Sequence, residues 1–111
     1  MPAGTIDREM ALSRVGGDAE LLKEIAQLFL DDYPHAVADL RTAAAHADAK
    51  AVERAAHSLK GSVANFGAPA AVEAAFTLEQ MGRNENLEQV NQVIHTLELA
   101  LAALHTELEA L

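Results

Sequence analysis

The sequence predicts an all-α protein: an antiparallel, up-and-down four-helix bundle preceded by a short additional helix. Apolar residues recur at intervals of three and four along almost the whole chain, which is the period of a helix. Of the 111 residues, 50% are hydrophobic but only 4% are aromatic, so the core must consist of aliphatic side chains that pack between helices. The sequence contains no run of β-branched residues and no Asn-Gly or Asp-Gly turn, so nothing in it predicts a β-strand. At about 100–150 residues per domain, residues 1–111 form one domain, with the bundle over about 18–111.

The chain opens with a short predicted helix. Thr5 or Asp7 can begin it, and the Gly16-Gly17 pair provides a plausible stop. Asp18 is then a good N-cap for the next helix, because its carboxylate can accept hydrogen bonds from free backbone N–H groups.

Pro34 interrupts the pattern of that second helix, because proline has no backbone N–H to donate. Asp31 or Asp32 could cap a new helix at this point. The apolar pattern nevertheless continues beyond the proline. The sequence therefore leaves open whether residues 18–46 form one kinked helix or two abutting helices.

The third helix is predicted over about 49–66, with Asp48 as its cap and Gly67 at its end. Pro69 follows at a position where a first helical turn tolerates proline. The fourth helix then runs to about Met81, and Gly82 is predicted to stop it.

Asn86 and Gln89 are three residues apart and resemble a capping box for the last helix. Apolar residues in this helix alternate four and three apart, which is typical of the seam of a packed bundle helix. They are Val90, Ile94, Leu97, Leu101, Leu104, Leu108 and Leu111.

Charge and composition exclude several classes of function. Lys and Arg total 8 against 17 Asp and Glu, a net charge of −9, which argues against nucleic acid and anionic membranes as partners. The absence of cysteine removes disulfides, a cysteine nucleophile and zinc–thiolate sites. No segment approaches the roughly 18 apolar residues of a membrane span, and the N-terminus lacks signal-peptide features. We expect a cytoplasmic protein.

The predicted helix over 49–66 carries residues that packing alone does not explain. Stepping about 100° per residue places the apolar residues of the 49–66 helix on one core-facing stripe, with His57 about 140° away from it. Lys60 flanks this histidine, and Gly61 follows one turn on, where a glycine costs about 1 kcal/mol relative to alanine. An exposed imidazole beside a cation and bare backbone is an uncrowded nucleophile. The alternative is that neither residue has a function: the histidine would be a solvated surface residue, and the glycine would relieve a tight helix crossing.

Three blocks of the chain resemble the histidine phosphotransfer (HPt) domains of two-component phosphorelays. The run His57–Ala68 (HSLKGSVANFGA) resembles the family signature. Leu78–Arg83 (LEQMGR) is similar to the second block, and Val15–Asp18 with Leu21-Leu22 is similar to the N-terminal entry. Together the three blocks extend from residue 15 to residue 83 of the chain.

The resemblance implies a phosphocarrier rather than an enzyme. His57 would accept a phosphoryl group from the aspartyl-phosphate of a receiver domain and pass it to another receiver aspartate. Lys60 would supply positive charge to the phosphoryl oxygens, and Gly61 would allow the receiver to approach closely. Of the second block, Glu79 would orient the site and Arg83 would act electrostatically.

The resemblance also implies the partners. These are response-regulator receiver domains and a sensor histidine kinase, which can belong to the same full-length chain. The domain would carry no metal or cofactor of its own, because the Mg²⁺ lies in the receiver. Ser62 is interpreted as bonding locally within its helix.

A docking surface is suggested by the helix over 18–31, which is apolar around about 200° where a core-facing stripe needs little more than about 100°. We expect the excess, at Leu22, Ala26 and Leu30 together with Ala64, to contact a receiver. Alternatively, the short N-terminal helix covers it.

Two further functions stay open. A degenerate HPt bundle would bind receivers without accepting phosphate, although the presence of both His57 and Lys60 favours the carrier. A self-associating structural bundle would use the seam of the last helix, but intramolecular packing fills that seam more simply, so we expect a monomer. The histidines at 35, 46, 95 and 105 lack the spacing of a helix-borne zinc pair and are predicted to be surface residues.

Overall fold

The computed structural model describes residues 6–111, and within this range the secondary structure is helical apart from one isolated bridge between Ile6 and Gly67. The predicted all-α fold is confirmed. The helices are α1 (Arg8–Arg14), α2 (Ala19–Ala45), α3 (Ala49–Ala64), α4 (Pro69–Arg83) and α5 (Val90–Glu109). None of these helices is long and apolar enough to cross a membrane.

Aspartates begin the first three helices as the sequence predicts. The carboxylates of Asp7, Asp18 and Asp48 accept hydrogen bonds from the backbone N–H three residues on, each at 3.1 Å. The alternative cap Thr5 lies outside the described residues.

Helix α2 is one continuous helix of 27 residues that contains Pro34. Asp31 and Asp32 lie inside it and cap nothing. A proline inside a helix costs about 3 kcal/mol, but both halves of α2 bury the same face, which offsets this cost. The buried residues are Leu22, Ala26 and Phe29 before the proline and Val37, Leu40 and Ala43 after it.

Two predicted helix ends are corrected. Gly82 does not stop α4 but lies within it, buried against α3. A Cβ at this position would lie 2.6 Å from the carbonyl oxygen of Ala49 and 2.6 Å from the backbone nitrogen of Glu53. The capping box is also wrong: α5 begins only at Val90, and no side chain caps its N-terminus.

The four long helices form a closed bundle in which α2 packs on α3, α3 on α4, α4 on α5, and α5 back on α2. Neighbouring helices run in opposite directions. Between α2 and α5, for example, Tyr33 contacts His105 and Arg41 contacts Glu98, so the residue number rises along α2 as it falls along α5. The bundle is therefore antiparallel, and α1 packs on α2. The predicted seam of α5 is buried from Val90 to Leu108, while the last residue, Leu111, is partly exposed.

Candidate functional site

Helix α3 divides into a core face and a solvent face. Val52, Ala56, Leu59 and Val63 are at most 2% exposed and form the core stripe. The side chain of His57 points the other way and is 67% exposed. Its exposure is the one that the helical periodicity predicts.

Glu79 of α4 anchors this exposed histidine. It is 3% exposed and is the buried charged residue of the chain within residues 6–111. One of its carboxylate oxygens, Oε2, lies 2.6 Å from His57 Nδ1, and the other, Oε1, accepts a hydrogen bond from Lys60 Nζ at 2.6 Å. A single buried carboxylate therefore fixes both residues.

The charge state of Glu79 assigns the histidine tautomer. The hydrogen bond from the Lys60 ammonium holds the pKa of Glu79 below its ordinary range, with a further contribution from His57, although burial opposes the shift. An ionised carboxylate can only accept hydrogen bonds. The proton of the neutral imidazole therefore lies on Nδ1, and the lone pair lies on Nε2.

Gly61 leaves the space beside His57 open. A Cβ at this position would meet nothing within 4 Å. The glycine therefore does not relieve a helix crossing, and that role belongs to Gly82. Ser62 donates to the carbonyl oxygen of Ser58 at 3.2 Å, the local bond that the sequence suggested.

Arg83 extends the charged cluster along α4. One of its terminal nitrogens lies 3.6 Å from Glu79 Oε2, and its Nε donates to Glu53 Oε2 at 3.0 Å. The sequence prediction placed Arg83 near the site but missed Glu53. The available signal was that Glu53 shares the outer face of α3 with His57, one turn before it.

The chain also matches a known protein family. A model of the Hpt domain matches residues 24–110. The chain belongs to the Hpt domain family. Hpt domains are phosphocarrier modules rather than enzymes, so its role is histidine phosphotransfer in a phosphorelay. A comparison with curated protein sequences gave no significant match.

A solved structure supports the same fold. The crystal structure of histidine-containing phosphotransfer protein B from Pseudomonas aeruginosa PAO1 superposes on this Hpt domain with a TM-score of 0.89. The match covers 98% of this chain and 95% of that chain, at 23% sequence identity. At this identity the likeness establishes the architecture of the bundle.

An exposed aromatic residue of this Hpt domain was also missed from the sequence. Phe76 of α4 is 47% exposed, and Lys60 Nζ lies 5.3 Å from the centre of its ring, within the range of a cation–π contact. Lys60 therefore lies between a carboxylate and an aromatic face.

The predicted docking residues are partly wrong. Leu22 and Ala26 are 4% and 2% exposed and belong to the core, so they offer no surface to a partner. The apolar arc of α2 is wide because α2 packs against α1 as well as α3 and α5. Leu30 and Ala64 are partly exposed.

A different apolar surface is exposed on α2. Leu28 is 63% exposed and lines a groove of about 240 Å³ between α2 and α3. Ile25 and Ala36 line it from α2, and Ser58 and Ser62 line it from α3. Ser58 is the residue after His57, and His57 itself is not among the residues that line the groove.

The other histidines differ in their surroundings. His35, His46 and His95 are exposed as predicted. His105 is partly buried, and its Nδ1 lies 2.7 Å from the hydroxyl of Tyr33. Within residues 6–111, no group of three His, Asp or Glu side chains is arranged to hold a metal ion.

Proposed function

We propose that this Hpt domain carries its phosphoryl group on Nε2 of His57, accepting it from a receiver aspartyl-phosphate and passing it to another receiver aspartate. The observation that carries the proposal is the hydrogen bond between His57 Nδ1 and the buried Glu79 carboxylate at 2.6 Å. It supports a fixed ring orientation in which the nitrogen with the lone pair is the solvent-facing one.

The transfer step balances as follows. The Nε2 lone pair attacks phosphorus, an N–P bond forms, and the P–O bond of the acyl phosphate breaks. The electron pair of that bond leaves with the receiver carboxylate. The ring keeps its Nδ1 proton and becomes positively charged, so the Glu79 carboxylate beside it stabilises the product. The reverse step returns the phosphoryl group to an aspartate.

Lys60 and Gly61 have complementary roles in this proposal. The Lys60 ammonium brings a compact positive charge close to His57 and favours the transferring phosphoryl group, whose chemistry depends on positioning and charge neutralisation. Gly61 presents no side chain on the same face, so the rim of a receiver site can close over the imidazole. Arg83 adds a second positive charge nearby.

The partners in this proposal are response-regulator receiver domains, which supply the Mg²⁺, and a sensor histidine kinase, all acting in the cytoplasm with this chain as a monomer. We propose that the receiver docks on the groove between α2 and α3. An exposed apolar side chain such as Leu28 is suited to the desolvated centre of an interface.

The test is phosphotransfer from a labelled receiver domain to the chain and to its His57→Gln variant. We expect an acid-labile, alkali-stable label on the wild-type chain and none on the variant. The opposite result, a folded helical chain that several phosphorylated receivers fail to label, would favour the alternative of a phosphorylation-independent receiver-binding bundle.

The docking surface is tested with Leu28→Asp against Leu99→Asp. Leu99 is a matched control because it is 61% exposed but lies on α5, which does not border the groove. At low concentrations of receiver, we expect Leu28→Asp to slow transfer about tenfold, the effect of about 1.4 kcal/mol of lost binding, and Leu99→Asp to leave it unchanged. Equal effects of the two variants would exclude the groove.

A further inference from the structure

Arg83 is shared between two carboxylates. Its Nε donates to Glu53 Oε2 at 3.0 Å, whereas its terminal nitrogen is 3.6 Å from Glu79 Oε2. The shorter contact is therefore to Glu53, which lies on α3 one turn before His57. Glu79 already has two shorter contacts, from His57 and Lys60.

The close crossing of α3 and α4 places Glu53 within reach of Arg83. Gly82 lies against the backbone of Glu53, and a Cβ at this glycine would be 2.9 Å from Glu53 Cα. The side chain of Glu53 is 28% exposed and that of Arg83 is 54% exposed. The pair therefore lies at the surface, where Arg83 can exchange one acidic partner for another.

We propose that Glu53 is a positioning residue that holds the Arg83 guanidinium away from His57 and so limits how strongly Arg83 stabilises the phosphorylated state. This inference rests on the proposed phosphorylation of His57. The phosphoryl group would add negative charge to a ring whose Nδ1 contacts Glu79 Oε2, the same oxygen that Arg83 contacts. Glu53 competes with that group for the same cation.

Limiting the stability of the phosphorylated histidine is useful in a phosphocarrier. An intermediate that holds its phosphoryl group too tightly does not release it to the next receiver. The Glu53–Arg83 pair would keep the phosphorylated state of His57 close in free energy to that of a receiver aspartate.

The experiment measures how labelled phosphoryl partitions at equilibrium between this chain and one receiver domain, at concentrations too low to populate their complex. We expect Glu53→Gln to shift the partition towards the chain about two- to fivefold, the effect of one charge acting through a largely aqueous medium. Arg83→Gln should shift it towards the receiver. In the double variant, the loss of Glu53 should change nothing further, because Glu53 acts through Arg83.

Glu98→Gln is the matched control. Glu98 pairs with Arg41 between α2 and α5, with similar exposed fractions of 33% and 48%, and its loss changes the net charge equally. A shift with Glu98→Gln as large as with Glu53→Gln would overturn the proposal, since net charge would then be the cause. An undiminished effect of Glu53→Gln in the Arg83→Gln background would also overturn it, since Glu53 would act by direct repulsion.

Phosphoramidate, a small donor that needs no receiver, separates this inference from the proposed function. The reagent transfers its phosphoryl group to histidine nitrogen with release of ammonia. Labelling of His57 with an unchanged partition in Glu53→Gln would overturn the role of Glu53 alone. If neither phosphoramidate nor receivers label His57, the proposed function fails and the inference fails with it.

Discussion

Two histidines of this Hpt domain bridge neighbouring antiparallel helices, and they do so in opposite ways. His57 contacts a buried carboxylate through Nδ1, and its ring is otherwise largely exposed. His105 lies 2.7 Å from the Tyr33 hydroxyl through Nδ1 and 3.5 Å from Glu109 through Nε2. Within residues 6–111, His57 Nε2 has no hydrogen-bond partner, whereas both ring nitrogens of His105 lie close to a polar partner.

The partners also assign opposite tautomers. Burial raises the pKa of Tyr33, with an added contribution from Glu109, so its hydroxyl keeps its proton. The Glu109 carboxylate near Nε2 can only accept, so the proton of a neutral His105 lies on Nε2, and Nδ1 accepts from the Tyr33 hydroxyl. The lone pair of His105 is used in a structural bond, whereas that of His57 is available. The identity of the Nδ1 partner thus separates a ring with an available lone pair from a ring that links two helices.

The largest expected effect comes from neutralising the partner of His57. Glu79→Gln should slow phosphorylation of His57 by phosphoramidate about tenfold to a hundredfold, because a hydrogen bond to a charged group contributes about 1.5–3 kcal/mol. Glu109→Gln, the corresponding change at His105, should leave the rate unchanged. A wild-type rate in Glu79→Gln would show that exposure alone makes His57 reactive.

The helix crossing that brings Glu79 to His57 is the next test. Gly82→Ala should lower the free energy of unfolding by about 1–3 kcal/mol, because its methyl group would meet the backbone of α3. The control is Gly61→Ala, where the space is open and alanine should stabilise the helix by about 0.5–1 kcal/mol. Urea denaturation measures both variants, and equal effects would contradict the assigned crossing.

Tyr33→Phe tests the other side of the comparison. It removes one partly buried hydrogen bond, so we expect a loss of about 0.5–1.5 kcal/mol in the free energy of unfolding. The rate at which phosphoramidate labels His57 should not change. A slower rate would mean that the two histidine sites are coupled through the bundle.

The smallest effect concerns pH. Because the pKa of Glu79 is lowered in the folded chain, its ionised form stabilises the fold. This contribution is complete above the ordinary pKa of a glutamate, about 4.3, and is lost as the pH falls through the lowered pKa of the folded state. The difference in stability between the wild type and Glu79→Gln should therefore shrink on acidification below that value. A constant difference in thermal melts at each pH would argue against an ionised Glu79.

Sequence periodicity was sufficient for properties that depend on a single helix. The three aspartate caps, the core stripe of α3 and the exposure of His57 all follow from local spacing. Properties that depend on contacts between helices were not predictable in this way. Helix α2 continues through Pro34 because of burial on both sides of it, and Leu22 and Ala26 are covered by neighbouring helices.

The candidate site shows the same division. His57, Lys60 and Glu79 come from motif blocks, and the structure brings them together within hydrogen-bond distance. Glu53 and Phe76 belong to none of the motif blocks. Their contacts arise from the close approach of α3 and α4, which the sequence pattern does not show. Gly82 was interpreted as a helix stop for the same reason, since a glycine at a crossing and a glycine at a helix end look alike in sequence.

The bridge at the start of the described chain makes the N-terminal segment part of the folding unit. The Asp7 backbone N–H donates to the carbonyl oxygen of Phe66 at 2.7 Å, and Ile6 pairs with Gly67 in the turn between α3 and α4. A truncation at residue 24, where the family match begins, would delete this tether and the whole of α1 and would cut α2 short. A unit that keeps the contact between the N-terminal segment and the α3–α4 turn therefore reaches back to Ile6.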